Sequence, residues 1–178
     1  MESGLEEDES SEGSVIKLRK IISGGQTGAD QAGLFAAEDL GLETGGWMPL
    51  GCRTQAGPRP DLRLRFKMKE SASAAYPPRT RFNVVESDGT IIFGNSHSPG
   101  CALTIRICAE LRRPFIVNPL VGEFMVWLDT HNIEVLNVAG NREETNPGIF
   151  NTTREFLVNS LRVLRRSALP EEENGESV

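Results

Sequence analysis

The chain has 178 residues, 25 acidic and 19 basic, giving a formal charge of −6 at neutral pH. That length suits one domain with a substantial core and leaves little room for two. The charge is unevenly spread: Glu2, Glu6, Glu7, Asp8, Glu9 and Glu12 crowd the first 14 residues, and Glu171, Glu172, Glu173 and Glu176 follow Pro170. Setting these ten aside leaves 15 acidic against 19 basic residues between the tails, a balance that suits an anionic small molecule and lacks the dense basic run of a nucleic-acid binder.

The tails, residues 1–14 and 170–178, are rich in Glu and in small polar residues and read as disordered and solubilising, flanking a single domain at 15–169. No apolar run approaches the ~20 residues of a membrane span, and the acidic start carries no apolar leader, so a cytoplasmic protein is expected. Cys52, Cys101 and Cys108 are three, at no metal-ligand spacing, and His97 and His131 are the only histidines. This pattern points to a reducing compartment and away from a disulfide framework or a histidine-based metal site.

In chain order, Leu18 to Ser23 reads as a strand, Ser23 to Gly28 as a glycine-rich loop, and Ala29 to Leu40 as a helix closed by Gly41. Glu43 to Trp47 is a short second strand, and Gly51 to Pro60 is loop by composition. Leu62, Leu64, Phe66 and Met68 alternate with Arg63, Arg65, Lys67 and Lys69, a period-two pattern that predicts a strand with one basic face. Residues 71–85 carry little commitment, with Tyr76-Pro77-Pro78 read as an extended turn. A turn at Asp88-Gly89 then leads into a buried strand over Thr90 to Phe93.

The loop Gly94 to Gly100 opens a helix over Cys101 to Leu111, a second strand, loop and helix unit with Thr104 in its first turn. A strand at Phe115 to Val117, a helix at Val121 to His131, a strand at Glu134 to Ala139, a polar loop at 140–148 and a helix at Phe150 to Arg166 complete the chain. Short apolar strands alternating with helices predict a Rossmann-like α/β domain: three layers, a mostly parallel sheet of about five or more strands, and helices on both faces. In such sheets ligands bind beyond the carboxyl ends of the strands, where the loops at 23–30, 94–104 and 139–145 converge.

The first loop is the strongest chemical signal. Ser23, Gly24, Gly25, Gln26, Thr27 and Gly28 lie between a strand and a helix N-terminus, where backbone N–H groups and the helix dipole favour an anion, most often phosphate. The sequence is neither GxGxxG nor GxxxxGK[ST], so no standard nucleotide is named by it. Asp30 follows on the first helical turn, where an acid is stabilised by the dipole or contacts a ligand. Gly94, Ser98, Gly100 and Thr104 form the second loop's candidate contacts. Among Arg53, Arg79, Arg81 and Arg142, whose guanidinium groups suit phosphate, Arg142 has the best position. His97 is a candidate phosphate donor, Asp88 a turn former, and Cys101, at a helix N-terminus, should have a depressed pKa.

Ser-Gly-Gly-Gln-Thr-Gly-Ala-Asp (23–30), Gly-Gly-Trp-Met-Pro-Leu-Gly (45–51), Arg79 with Asn83-Val84, Ser-Asp-Gly-Thr (87–90) and Leu-Asn-Val-Ala-Gly (136–140) occur in this order. The set resembles the circularly permuted YpsA-like SLOG family, often labelled molybdenum carriers, over nearly all of residues 18–165. The resemblance implies a Rossmann-like fold in the superfamily of the phosphoribohydrolases, a pocket for a nucleotide-like or other phosphorylated ligand, and often a homo-oligomer.

Two departures qualify it. Of the PGGxGTxxE motif of phosphoribohydrolases, Pro99-Gly100 and Thr104 alone have counterparts. The family's Gly-Pro-Arg-Glu-Ser loop appears as Gly140-Asn-Arg-Glu-Glu-Thr145, keeping Arg142 and Glu143. The expectation is therefore a binding protein for a phosphorylated small molecule, a nucleotide-like ligand or a molybdenum cofactor or molybdate, with no nucleic acid or membrane partner. The alternative is a nucleotide- or nucleoside-processing hydrolase using Asp30 or Glu143 as acid/base. No metal-ligand set is assigned.

Overall fold

The structure, a computed structural model, describes residues 16–167. The acidic tails expected at 1–14 and 170–178 lie outside the described residues.

The elements run β1 (Lys20–Ser23), α1 (Ala29–Asp39), β2 (Glu43–Gly45), β3 (Trp47–Met48), β4 (Arg53–Thr54), β5 (Gly57–Pro58), α2 (Pro60–Arg65), β6 (Lys69–Glu70), α3 (Tyr76–Val85), β7 (Gly89–Phe93), α4 (Pro99–Glu110), β8 (Phe115–Val117), α5 (Val121–Thr130), β9 (Val135–Gly140) and α6 (Ile149–Ser167). Five strands form one parallel sheet in the order β2-β1-β9-β7-β8. This is the expected Rossmann-like α/β fold. The last strand in sequence, β9, enters between β1 and β7, so the loops after these three strands are neighbours.

Alternation along β9 divides the molecule. Leu136 and Val138 join Ile21 and Ile91 in the main core with α1, α5 and α6. Asn137 points to the other face, where its amide donates to Thr90 Oγ1 at 3.2 Å and where Val84 of α3 packs with Ile107 and Cys108 of α4. That polar residue on an otherwise apolar central strand lies beneath the site.

From β2 to β7 the structure departs from the expectations at four points. The alternating stretch 62–69 is not a strand: Pro60 opens α2, Asp61 lies in its first turn and Arg63 and Arg65 in its last, the arrangement a helix dipole favours. Leu62 and Phe66, four apart, are buried with Met48, Cys52, Met68 and Leu34, while Leu64 is 72% exposed. The period-two pattern was a helical i, i+4 pair with an exposed leucine between.

Likewise Tyr76-Pro77-Pro78 begins α3 instead of forming a turn, because prolines in a first helical turn remove N–H groups that have no partner there. The second strand also stops early. Gly46, at φ +116°, packs its α-carbon against the Ser23 backbone, and Trp47 and Met48 pair with β6 in a separate ladder. Within the predicted loop, β4 and β5 form a small antiparallel hairpin.

Candidate functional site

Beyond the carboxyl ends of β1, β9 and β7, Asn141 ties the three loops together. Its carbonyl accepts the Ala29 N–H at 3.1 Å, its Oδ1 accepts the Asn95 N–H at 2.7 Å, and its Nδ2 donates to Ser98 Oγ at 2.9 Å. Gly28, at φ +80°, is needed for this approach, since a Cβ there would run into the Asn141 carbonyl and the Glu143 amide.

The first glycine loop is closed on itself. Gly25 donates its N–H to Ser23 Oγ at 3.1 Å, and Ser23 Oγ donates to the Asp30 carbonyl at 2.9 Å. The Gln26 N–H donates to Asp30 Oδ2 at 3.3 Å, and Arg79 Nη1, arriving from α3, donates to the same oxygen at 3.2 Å. Asp30 is buried and Arg79 largely so, their side chains 5% and 13% exposed. Burial pushes the Asp30 carboxyl above its ordinary range, opposed by Arg79 and by the N–H groups of Gln26 and Gly24. The anion in this loop is the chain's own carboxylate. Gly24 lets it form: a Cβ there would strike the Arg79 guanidinium. Thr27 is also engaged, its hydroxyl donating to Glu144 Oε2 at 2.6 Å.

The second loop is open. α4 starts at Pro99 after Ser98 with no side-chain cap and no acid in its first turn, and a Cβ on Gly100 would meet nothing within 4 Å. A cavity of about 80 Å³ reaches from Gly100 to Gln26, Asp30, Tyr76, Arg79 and Asn137. A second of about 200 Å³ adjoins it, bordered by Ser98, Asn141 and Thr145. Gly100, Gly140 and Arg142 line both.

Two residues that line the smaller cavity each carry an unused donor. Gln26 Oε1 accepts the N–H groups of Thr27 (2.9 Å) and Gln55 (2.7 Å), which fixes the orientation of the amide. Its Nε2 is buried without a hydrogen-bond partner, and so is Arg79 Nε. Buried polar atoms of this kind call for an explanation.

Three guanidinium groups surround one ring. The carbons of Arg142, Arg79 and Arg53 lie 5.1, 5.6 and 5.9 Å from the Tyr76 centroid. Arg79 has Asp30, whereas Arg142 Nη1 donates to Gln55 Oε1 at 2.9 Å and Arg53 Nη1 to the Ala74 carbonyl at 3.2 Å. Among the described residues neither of these two forms an ion pair with a carboxylate.

Other candidates are placed elsewhere or spent. Glu143 accepts the N–H groups of Gly148 and Phe150 at 2.6 and 3.0 Å, so its carboxylate closes the turn into α6 instead of serving the cavity. Thr104 lines the cavity, but its hydroxyl donates to the Gly100 carbonyl at 3.0 Å. Gly94 packs its α-carbon against the Asn141 side chain.

Cys101 is 1% exposed, and burial, with Asp30 adding to it, raises its thiol pKa, the reverse of the expected depression. Arg81 pairs with Glu110 on the surface, His97 is exposed, and Asp88 accepts the N–H groups of Glu134 and Val135 as a turn residue would. Sequence reasoning missed Tyr76, Gln55, Asn137 and Asn141. Asn137 had a usable signal, a lone amide in the apolar run Val135 to Ala139. Tyr76 had none, because its helix was not foreseen.

The model of the circularly permutated YpsA SLOG family matches residues 21–161. The fold is similar to the crystal structure of a protein from Syntrophus aciditrophicus SB named "Putative molybdenum carrier protein". The two are 32% identical, with a TM-score of 0.71, over 83% of this chain and 95% of that one. No curated protein matches the chain.

Proposed function

The chain belongs to the circularly permutated YpsA SLOG family, and on that premise we propose that it binds a phosphorylated or comparably compact anionic small molecule at the N-terminus of α4. The observation that carries this reading is that two residues lining one cavity, Gln26 and Arg79, each keep a buried donor, Nε2 and Nε, without a hydrogen-bond partner. An anion there would accept from both, would face the uncapped first turn of α4, and would offset the charge of Arg79 and Arg142, which line the cavity. The smaller cavity has room for an anionic head of a few heavy atoms. The rest of a nucleotide-like ligand would extend past Arg142 into the larger one.

The expectation from the sequence is one ligand shared by both glycine loops and Arg142; in the present reading the second loop supplies the helix N-terminus and the first supplies Gln26. Ser23, Gly24, Gly25 and Gly28 become the scaffold that holds Asp30, Arg79 and Gln26 in place.

The similar protein's name raises molybdenum. Cys101, the cysteine at the start of α4, is 1% exposed and lines neither cavity, so in this reading it has no part in holding molybdenum. Molybdate is a compact oxyanion and suits the same donors as phosphate. Calorimetric titration with AMP and with sodium molybdate tests the reading: saturable binding of at least one, weakened in Arg142→Ala, is expected, and no heat from either would overturn it. A native mass spectrum of the same sample reads the subunit count, for which we expect a homo-oligomer.

The alternative, a nucleotide- or nucleoside-processing hydrolase, draws on one observation: the Asp30 carboxyl lines the cavity with its pKa raised. Turnover of a nucleoside monophosphate panel that disappears in Asp30→Asn would favour it, and a flat panel would leave binding alone.

A further inference from the structure

We propose that the site has a second anion subsite, at Arg53 and the outer edge of Arg142, and hence that its ligand carries two linked anionic groups, as a diphosphate does. This rests on the anion-binding reading above. Charge balance carries it.

The guanidinium carbons of Arg53, Arg79 and Arg142 all lie within 6 Å of the Tyr76 centroid. Three cations gathered around one ring repel one another, and a neighbouring anion relieves the repulsion. Asp30 balances Arg79 and sits at the inner end, fully buried. One external anion held by Gln26 Nε2 and Arg79 Nε would fill the inner cavity, which Arg53 does not line. Arg53 is exposed on β4, has no carboxylate partner among the described residues, and would remain unbalanced.

The local structure holds Arg53 and Arg142 on ligands weaker than a carboxylate. Arg53 donates to the Ala74 carbonyl, and Arg142 donates to the neutral amide oxygen of Gln55. Each uses one Nη, so the remaining N–H groups of each guanidinium can take an anionic oxygen. The hairpin that carries Arg53, and whose Gln55 accepts from Arg142, is itself tied to the inner subsite, because the Gln55 N–H donates to Gln26 Oε1 at 2.7 Å. Inner donor and outer cations therefore form one rigid unit. A compact ligand with two negative groups a few ångströms apart would engage both ends, with the Tyr76 ring flanking the link between them.

Inorganic phosphate and pyrophosphate are the probes, titrated by calorimetry into the wild-type chain, Arg53→Ala and Arg53→Lys. Pyrophosphate is expected to bind the wild type about tenfold or more tighter than phosphate, since a second charge-assisted contact is gained. Arg53→Ala should erase most of that increment while leaving phosphate affinity unchanged, and Arg53→Lys should restore part of it. Arg53 is exposed, and unchanged melting temperatures in both variants would separate a contact from a folding defect. Equal affinity for the two probes, or an equal loss of both in Arg53→Ala, would overturn the second subsite and leave the anion site standing. No binding of either probe would overturn both.

Discussion

The chain contains two units built alike, a strand, a glycine-bearing loop and a helix, and they end in opposite electrostatic states. In the first, an acid one residue into α1 turns back onto the loop's own N–H groups and onto Arg79. In the second, the corresponding turn of α4 holds Pro99, Gly100 and Cys101, none of which can supply a carboxylate. Glycine richness marks a place where backbone donors are accessible. Whether they await a ligand depends on whether a nearby acid has taken them. Here both loops border the cavity: the one with more glycines spends its backbone N–H groups internally and offers the Gln26 side chain, and the plainer one offers an uncapped helix N-terminus.

That contrast can be broken from the closed side first. Arg79→Ala would leave Asp30 buried without its cation and should cost about 3 kcal/mol or more, read as a drop in the urea midpoint. A change below about 0.5 kcal/mol would mean that the first loop is not held by this pair.

Gly24 and Gly100 should then diverge. Gly24→Ala forces the guanidinium away from Asp30 and should cost about 1–3 kcal/mol. Gly100→Ala meets open space within a helix and should stabilise by up to about 1 kcal/mol while weakening anion binding. Equal destabilisation at the two positions would contradict the contrast.

The open loop can also be converted into a copy of the closed one. Gly100→Asp places a carboxylate in the first turn of α4, which should raise stability by about 0.3–1 kcal/mol through the dipole. The same change should abolish binding of AMP or phosphate by calorimetry. Retained affinity would move the anion away from α4.

The smallest effect is a pH slope. Because burial raises the folded-state value for Asp30 above its ordinary 3.8, the folded chain keeps a proton across that window which the unfolded chain has released. Stability contributed by this group should therefore fall as pH rises from the ordinary value through the raised one. Asp30→Asn, which cannot titrate, should flatten this part of the pH profile of the urea midpoint.

The sheet, both glycine loops and the convergence of three strand ends were legible because each rests on local signals: apolar runs such as Thr90 to Phe93, glycines after them, and helical periods after those. The segment between β2 and β7 was not. Leu62 and Phe66 satisfy a helical spacing, but exposed Leu64 between them imitates alternation, and only packing against α1 distinguishes the two. Three consecutive residues, Tyr76, Pro77 and Pro78, suit a turn or a helix start equally well. Misreading them hid Tyr76 and left Arg79 without a location. The destination of the loop's N–H groups was equally out of reach, because Asp30 closes them only with Arg79, 49 residues away.

The most direct test of an open donor in the second loop's cavity is Gln26→Glu. The substitution keeps the side-chain oxygen that accepts the Thr27 and Gln55 N–H groups and replaces the unused NH₂ with a negative oxygen at the same place. Calorimetric titration with inorganic phosphate should give saturable binding in the wild type and a loss of at least about tenfold in the variant, with circular dichroism confirming that the variant is folded at the titration temperature. Phosphate binding that is unchanged in Gln26→Glu would contradict the assignment of the anion to this cavity.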